Sequence, residues 1–218
     1  MSADPPLPVV VLISGEGTNL QALIDAIRDD VADYAIAAVF SDRANARGLE
    51  RARNAGIPAH HVDPNSYSSR EAFDRALADA ICYYEPGLLV LAGFMRILGP
   101  GFVARFADRM LNIHPSLLPK FKGLHTHRRA LAAAETEHGA TVHFVTAELD
   151  GGPAVIQYRI RVRESETEDS LSARVQQGEY IILPRAVGLF AEGRLRLESG
   201  RAILDGEALR TPMRVDGD

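Results

Sequence analysis

The sequence predicts an α/β protein: a Rossmann-like, mostly parallel sheet flanked by helices, continued by a C-terminal half that adds antiparallel strands to the same mixed sheet. Three observations lead there. Short runs that are almost wholly apolar, such as Val9 to Ser14 and Gly87 to Phe94, lack the polar alternation of a half-exposed strand, so they read as strands covered on both faces. Between them lie segments with helical spacing, a βαβα order that implies a parallel sheet with helices on each side. Beyond residue 140 the strand-like runs alternate instead, with Asp150-Gly151-Gly152 between two of them.

Each element follows in turn. After Val9 to Ser14, Thr18 to Arg28 sets Leu20, Leu23, Ile24 and Ile27 on one helical face. Tyr34 to Phe40 is the second strand. Ala44 to Asn54 reads as a helix, with Gly56 just past its end as helix C-termini favour. Pro58 to Val62 is a short third strand. Ser68 and Glu71 make a capping box for a helix reaching about Tyr84. Gly87 to Phe94 is the fourth strand, Gly101 to Ala107 a short helix, and Met110 to His114 the fifth strand. Pro115 ends it, having no N–H to give to a ladder. Arg128 to Glu137 reads as a helix closed by Gly139. Thr141 to Thr146 and Ala154 to Val162 form a hairpin-like antiparallel pair. Thr167 or Asp169 caps a long helix that Pro184 is expected to kink. Arg194 to Leu197 and Ala202 to Leu209 are weak terminal strands, with a turn at Asp205-Gly206. One domain is expected at 9–210, in halves 9–100 and 101–210, between tails at 1–8 and 211–218.

The composition narrows the partners. A net charge of −5 and a pI near 5.8 over 218 residues argue against a nucleic-acid or anionic-membrane footprint. The lone cysteine, Cys82, forbids an intrachain disulfide and suits a reducing, cytoplasmic setting. Met1 to Pro8 lacks the basic start of a signal peptide, and no apolar run reaches membrane-spanning length. Small-molecule chemistry by a monomer or homodimer is the expectation.

The chemistry concentrates at strand ends. Asn112 and His114 are two apart in an extended run, so an amide and an imidazole project to one side at the carboxyl rim, where open α/β sheets bind ligands. An amide donor beside a histidine suits acyl transfer: one stabilises an oxyanion, the other moves a proton. Ser14-Gly15-Glu16-Gly17-Thr18-Asn19-Leu20 joins the first strand to the first helix. Its glycines and free helical N–H groups suit a terminal phosphate; the alternative is an ordinary turn. It is neither a dinucleotide fingerprint nor a Walker loop. Asp150 is a carboxylate suited to orienting an imidazole, or else a hairpin aspartate. Arg96 follows the fourth strand among apolar residues. His125, His127, His114 and His143 lack zinc-like carboxylate or cysteine partners, so no metal is expected. Pro115 to Arg129 is long for a loop, as lids often are.

Five segments in the same order resemble the phosphoribosylglycinamide formyltransferase family of the wider formyltransferase superfamily. They are Ile13 to Asn19, Leu91 to Leu98, Leu111 to Pro119, Gly123 to His127, and Val142 to Gly152, and the likeness spans about Val9 to Leu209. The resemblance implies roles. Asn112, His114 and Asp150 match the catalytic trio. Gly17, Thr18, Asn19, Pro115 and Glu179 match the site for the phosphorylated substrate. Arg70, Met95, Arg96, Ile97, Leu98, Asn112, Thr146, Ala147, Glu148, Leu149 and Asp150 match the site for 10-formyltetrahydrofolate, the implied co-substrate. The implied reaction is direct attack of the glycinamide amine on the formyl carbon, with Asp150 favouring the cationic form of His114. The chain departs from the family pattern at three places. Glu16 stands where a neutral residue such as Asn is expected, and a carboxylate beside phosphate is unhelpful unless it points outward. Lys122 replaces a proline in the lid segment, and Ala147 an acidic residue in the pterin loop.

Rival readings stay within reach of the same motifs. A tRNA or amino-sugar formyltransferase is one; the tRNA enzyme is expected to carry a further, often basic, C-terminal domain. A formyltetrahydrofolate deformylase is expected to carry an N-terminal regulatory domain. From another class, the chain is a non-catalytic phosphate-ligand binding module.

Overall fold

The computed structural model describes residues 5–29 and 33–217. In chain order the elements are β1 (Leu7–Ile13), α1 (Thr18–Arg28), β2 (Tyr34–Ser41), α2 (Arg47–Asn54), β3 (Ala59–His61), a 3-10 turn at Pro64–Ser66, α3 (Arg70–Cys82), β4 (Leu88–Leu91) and α4 (Pro100–Arg105). They continue with β5 (Met110–His114), α5 (Thr126–Ala132), β6 (Glu137–Phe144), β7 (Ala154–Arg161), α6 (Glu168–Ala191), β8 (Leu195–Glu198), β9 (Arg201–Leu204), β10 (Glu207–Ala208) and β11 (Met213–Asp216).

Eight strands form one sheet in the order β11-β7-β6-β5-β4-β1-β2-β3. From β3 to β5 the neighbours are parallel. β6 runs antiparallel to β5 and to β7, and β11 returns parallel to β7. The apolar run of β1 explains its central place. Val9, Val11 and Ile13 enter the core shared with α1, α2 and α6, while Val10 and Leu12 enter the one shared with α3 and α4. All five are fully buried, and burying each is worth roughly 1.5–3 kcal/mol. Strand order reverses between β1 and β4, which opens a crevice at their carboxyl ends.

Several boundaries differ from expectation. The N-cap of α3 is Ser69 rather than Ser68; its hydroxyl accepts from Ala72 N–H at 3.1 Å. The helix expected at 128–137 is shorter and earlier, Thr126–Ala132, and Gly139 lies inside β6. That glycine serves a close approach rather than a helix stop: a Cβ there would sit 1.8 Å from the Tyr158 carbonyl oxygen. Pro184 lies within α6, and the helix continues on both sides of it. Leu7 and Pro8, expected in a tail, begin β1, and residues 1–4 lie outside the described residues. The expected tail at 211–218 contains β11, whose ladder with β7 adds a strand to the sheet edge. The last strands do not all join one sheet either. β8, β9 and β10 form a separate three-stranded sheet. Its tight turns carry positive φ at both central residues, Ser199-Gly200 and Asp205-Gly206, so each strand folds back on its predecessor.

Candidate active site

Asn112 and His114 end β5 at the seam where the sheet turns antiparallel. Asn112 stands directly opposite His143 of β6 in the ladder, and opposed residues bring their side chains together. The Asn112 Nδ2 donates to His143 Nε2 at 3.0 Å, while His143 Nδ1 donates to the Phe144 carbonyl at 2.8 Å. Burial lowers the His143 pKa to about 4. His143 is therefore a neutral ring with its lone pair at Nε2. It holds one amide hydrogen of Asn112 and leaves the other free.

His114 is buried, with Nδ1 3.5 Å from Asp150 Oδ2 and Nε2 3.0 Å from the Phe121 carbonyl oxygen. Both ring nitrogens thus face acceptors, an arrangement that a doubly protonated imidazole satisfies. The second Asp150 oxygen lies 3.7 Å from His143 Nε2. Asp150 adopts φ +47°, a left-handed conformation unusual for a side-chain-bearing residue and typical of constrained sites. The loop is held there by close approaches: a Cβ at Gly152 would lie 1.9 Å from the Phe144 carbonyl oxygen. Gly123 N–H donates to Asp150 Oδ2 at 2.8 Å, so the segment after β5 covers the histidine.

Two clefts flank this trio and share the 91–98 segment as a wall. One, of about 430 Å³, is lined by Ser14 to Asn19, Met95, Pro115, His127 and Glu179. The other is a narrow slot of about 120 Å³ with apolar walls from Leu91, Phe94, Ile97, Leu98 and Val145, closed by Asn112, Arg96 and Thr146 to Asp150. Met95 faces the first cleft rather than the slot. Arg70, on the first turn of α3, is exposed and lines a separate groove with Asp74 and Gly99. Ser14 links the two walls: its hydroxyl donates to Asp42 at 2.6 Å and accepts from Met95 N–H at 2.8 Å.

In the larger cleft α1 starts at Thr18 behind the N-cap Gly17, which has φ +69° and no side-chain cap, so the first N–H groups of the helix are left for an external acceptor. The Asn19 side chain is not one of the free donors. Its Nδ2 donates to Glu179 Oε2 at 2.7 Å across 160 residues of chain, and its Oδ1 is buried without a hydrogen bond among the described residues. Burial pushes the Glu179 carboxyl pKa upward, and the Asn19 hydrogen bond opposes that in part. The Glu16 carboxylate points outward and pairs with Arg47 at 3.0 Å, so the departure there leaves the cleft clear. Gly17 itself is needed for packing: a Cβ would lie 2.4 Å from Gly48 Cα on α2.

The sequence reading missed His143, Thr141 and Gln157 as contributors to the site. His143 looked like one more histidine on a strand; only the register with β5 exposes it. Thr141 and Gln157 tether the segment after His114, with Thr141 Oγ1 donating to the Ser116 carbonyl at 2.7 Å and Gln157 donating to the Leu118 carbonyl at 2.8 Å. Lys122, already marked as a departure, reaches Glu148 at 2.7 Å and joins the lid segment to the slot's rim beside Ala147. Among the described residues no group of three or more His, Cys, Asp or Glu side chains is arranged to hold a metal ion, and no helix is long and apolar enough to cross a membrane.

The comparisons with known proteins agree with this geometry. The chain is 53% identical to the phosphoribosylglycinamide formyltransferase of Escherichia coli over 201 residues, 92% of this chain and 95% of that one. The phosphoribosylglycinamide formyltransferase structure from Coxiella burnetii superposes with a TM-score of 0.92 at 50% identity, covering 96% of this chain and 99% of that one. Glycinamide ribonucleotide transformylase 1 from Symbiobacterium toebii gives 0.90 at 47% identity, covering 93% and 95%. The pattern of a family described as formyl transferase matches residues 7–187, a span that holds both clefts and the whole trio. On these grounds the chain belongs to the formyl transferase family.

Proposed function

We propose that the chain transfers the formyl group of 10-formyltetrahydrofolate to the amine of phosphoribosyl-glycinamide, a step of purine synthesis. The observation that carries the reading is an anion-suited cleft lined by Ile113 and Pro115, the two neighbours of His114, beside an apolar slot lined by Asn112 and Asp150, with His114 paired to Asp150. The N–H groups at Gly17, Thr18 and Asn19 take the phosphate; Pro115 and Glu179 take the ribose. The slot, with Arg96, Ile97, Leu98 and Thr146 to Asp150, takes the pterin, while Met95 and Arg70 border the rest of the folate. Its apolar walls and polar end suit a flat ring that carries its reactive group toward Asn112.

The amine nitrogen attacks the formyl carbon. The free Asn112 N–H and the His114 imidazolium stabilise the tetrahedral oxyanion. The proton lost by the amine passes through the Asp150–His114 pair, or water beside it, to N10 of the folate as the carbon–N10 bond breaks. His114 Nε2 must first leave the Phe121 carbonyl, so the lid segment shifts as substrate enters. The reading places the protein in the cytoplasm, acting on small molecules without nucleic acid or membrane. It is tested by following 10-formyltetrahydrofolate spectrophotometrically with and without phosphoribosyl-glycinamide. Consumption only with the amine is expected. Consumption without it would indicate a deformylase, and binding without consumption a binding module.

A further inference from the structure

His127 and His138 form a pair that the formyl-transfer reading leaves unused. His127, the second residue of α5, lines the cleft that holds the N-terminus of α1, and His138 is buried on β6 behind it. His127 Nδ1 and His138 Nε2 are 3.1 Å apart, with the rings edge to face. The Pro115 backbone lies beside the His138 ring and favours its protonated side there. With His138 neutral and its hydrogen turned toward Pro115, its Nε2 is a lone pair, and the hydrogen between the rings belongs to His127. The remaining nitrogen of His127, Nε2, has no hydrogen bond among the described residues.

We infer that His127 is an anion-binding residue of the phosphate cleft, held in one tautomer by His138, and that it takes up a proton when the phosphorylated substrate binds. The inference rests on the assignment of this cleft to the phosphate. In the empty cleft a neutral His127 offers a lone pair to the anion, which repels it. Protonation turns the same nitrogen into a charge-assisted donor. The surroundings favour this exchange. Desolvation and the charge of His114 on β5 keep the free ring's pKa below its ordinary value, while Glu168 at the start of α6 acts the other way. Glu168 is itself paired with Arg128 at 3.0 Å. Glu135, which faces His138, is paired with Lys120 at 2.7 Å. Across the cleft stand Arg43 and Glu179. A phosphate dianion would be the largest charge added to this set, and it favours the imidazolium.

The test is calorimetric titration of the full chain with phosphoribosyl-glycinamide, and separately with inorganic phosphate. It uses buffers of different ionisation enthalpy from pH 7 to 8, above the second phosphate ionisation near ~6. Net proton uptake is expected for the native chain, with affinity falling by up to about tenfold per pH unit as uptake is lost. His127→Gln keeps a polar side chain that cannot titrate. It is expected to abolish the uptake and weaken binding about tenfold to hundredfold, with melting temperature and binding in the folate slot retained. Absence of uptake by the native chain overturns the inference without any variant. Unchanged uptake in His127→Gln overturns it too. His127-dependent uptake of inorganic phosphate in a chain that shows no formyl transfer would support the anion role and defeat the transfer reading. Transfer with a pH-independent affinity would do the reverse.

Discussion

At the scale of the residue, the chemistry depends on hydrogens being held where they are needed. Asp150 contacts two donors, the His114 ring and Gly123 N–H, from a left-handed backbone that only the surrounding loop maintains. Asp150→Asn and His114→Ala are each expected to lower kcat by about 10²–10⁴-fold while leaving the melting temperature within a few degrees; steady-state kinetics beside thermal melts check this. His143 hydrogen-bonds the site through Asn112. His143→Ala is expected to cost up to about 100-fold in kcat by freeing the amide, and His143→Gln, whose oxygen still accepts from Asn112, to recover most of it. Equal loss in both variants would mean that the imidazole does more than position. Asn112 and His114 were legible because two polar residues two apart at the end of one apolar strand single themselves out; Asp150 read equally as a hairpin aspartate, and only the family resemblance marked it. His143 was not, because its contact follows from cross-strand register, which a single sequence does not print. Asn19 was half legible: its place in the cleft was foreseen, but its amide belongs to Glu179, a pairing that only the α1–α6 packing creates.

Among elements, the parallel half was readable because buried strands and their helices write their periods plainly; α1 and β5 begin and end as expected. The region after β5 was not, since Ala-rich helical spacing runs past Ala132 and Gly139 imitates a helix stop while serving the Tyr158 carbonyl. The phosphate loop shows the same confusion of causes. Its glycines were attributed to ligand approach, yet Gly17 is fixed by α2. Gly17→Ala forces a Cβ against Gly48 at positive φ and is expected to destabilise by about 1–3 kcal/mol. Gly15→Ala, with open space around its Cβ, is expected to leave the melt unchanged. Comparable melts for the two would refute the packing argument. The Lys122–Glu148 link joins two loops by an exposed ion pair, worth at most about 1 kcal/mol and screened by salt. Lys122→Ala should therefore raise the folate KM no more than about fivefold, and only at low ionic strength. An effect that persists at high salt would assign the lysine another role.

For the whole molecule, the crevice at the strand reversal and the seam between parallel and antiparallel strands lie side by side, and β6 carries two buried histidines into that seam. Burial lowers both His138 and His143 to about 4 from an ordinary 6.5. An unfolded chain therefore binds protons at these positions between pH 6.5 and 4 that the folded chain refuses. By linkage the stability from keeping them neutral is complete above pH 6.5 and is lost as pH falls toward 4. Glu179 works in the opposite direction, since its raised pKa means that protonation relieves a buried charge. The paired carboxylates Asp205 and Asp216 have lowered pKa values, so their contribution fades only at more acid pH. A loss that begins near pH 6 thus belongs to the histidines. Thermal melts from pH 7.5 to 4.5 are expected to show a Tm that is level above 6.5 and falls steadily below it. His138→Gln, whose amide oxygen can still accept from His127, is expected to flatten that fall without lowering the plateau by more than a few degrees. A native curve that stays level to pH 4.5, or a variant with the native slope, would show that the sheet tolerates these imidazoles charged.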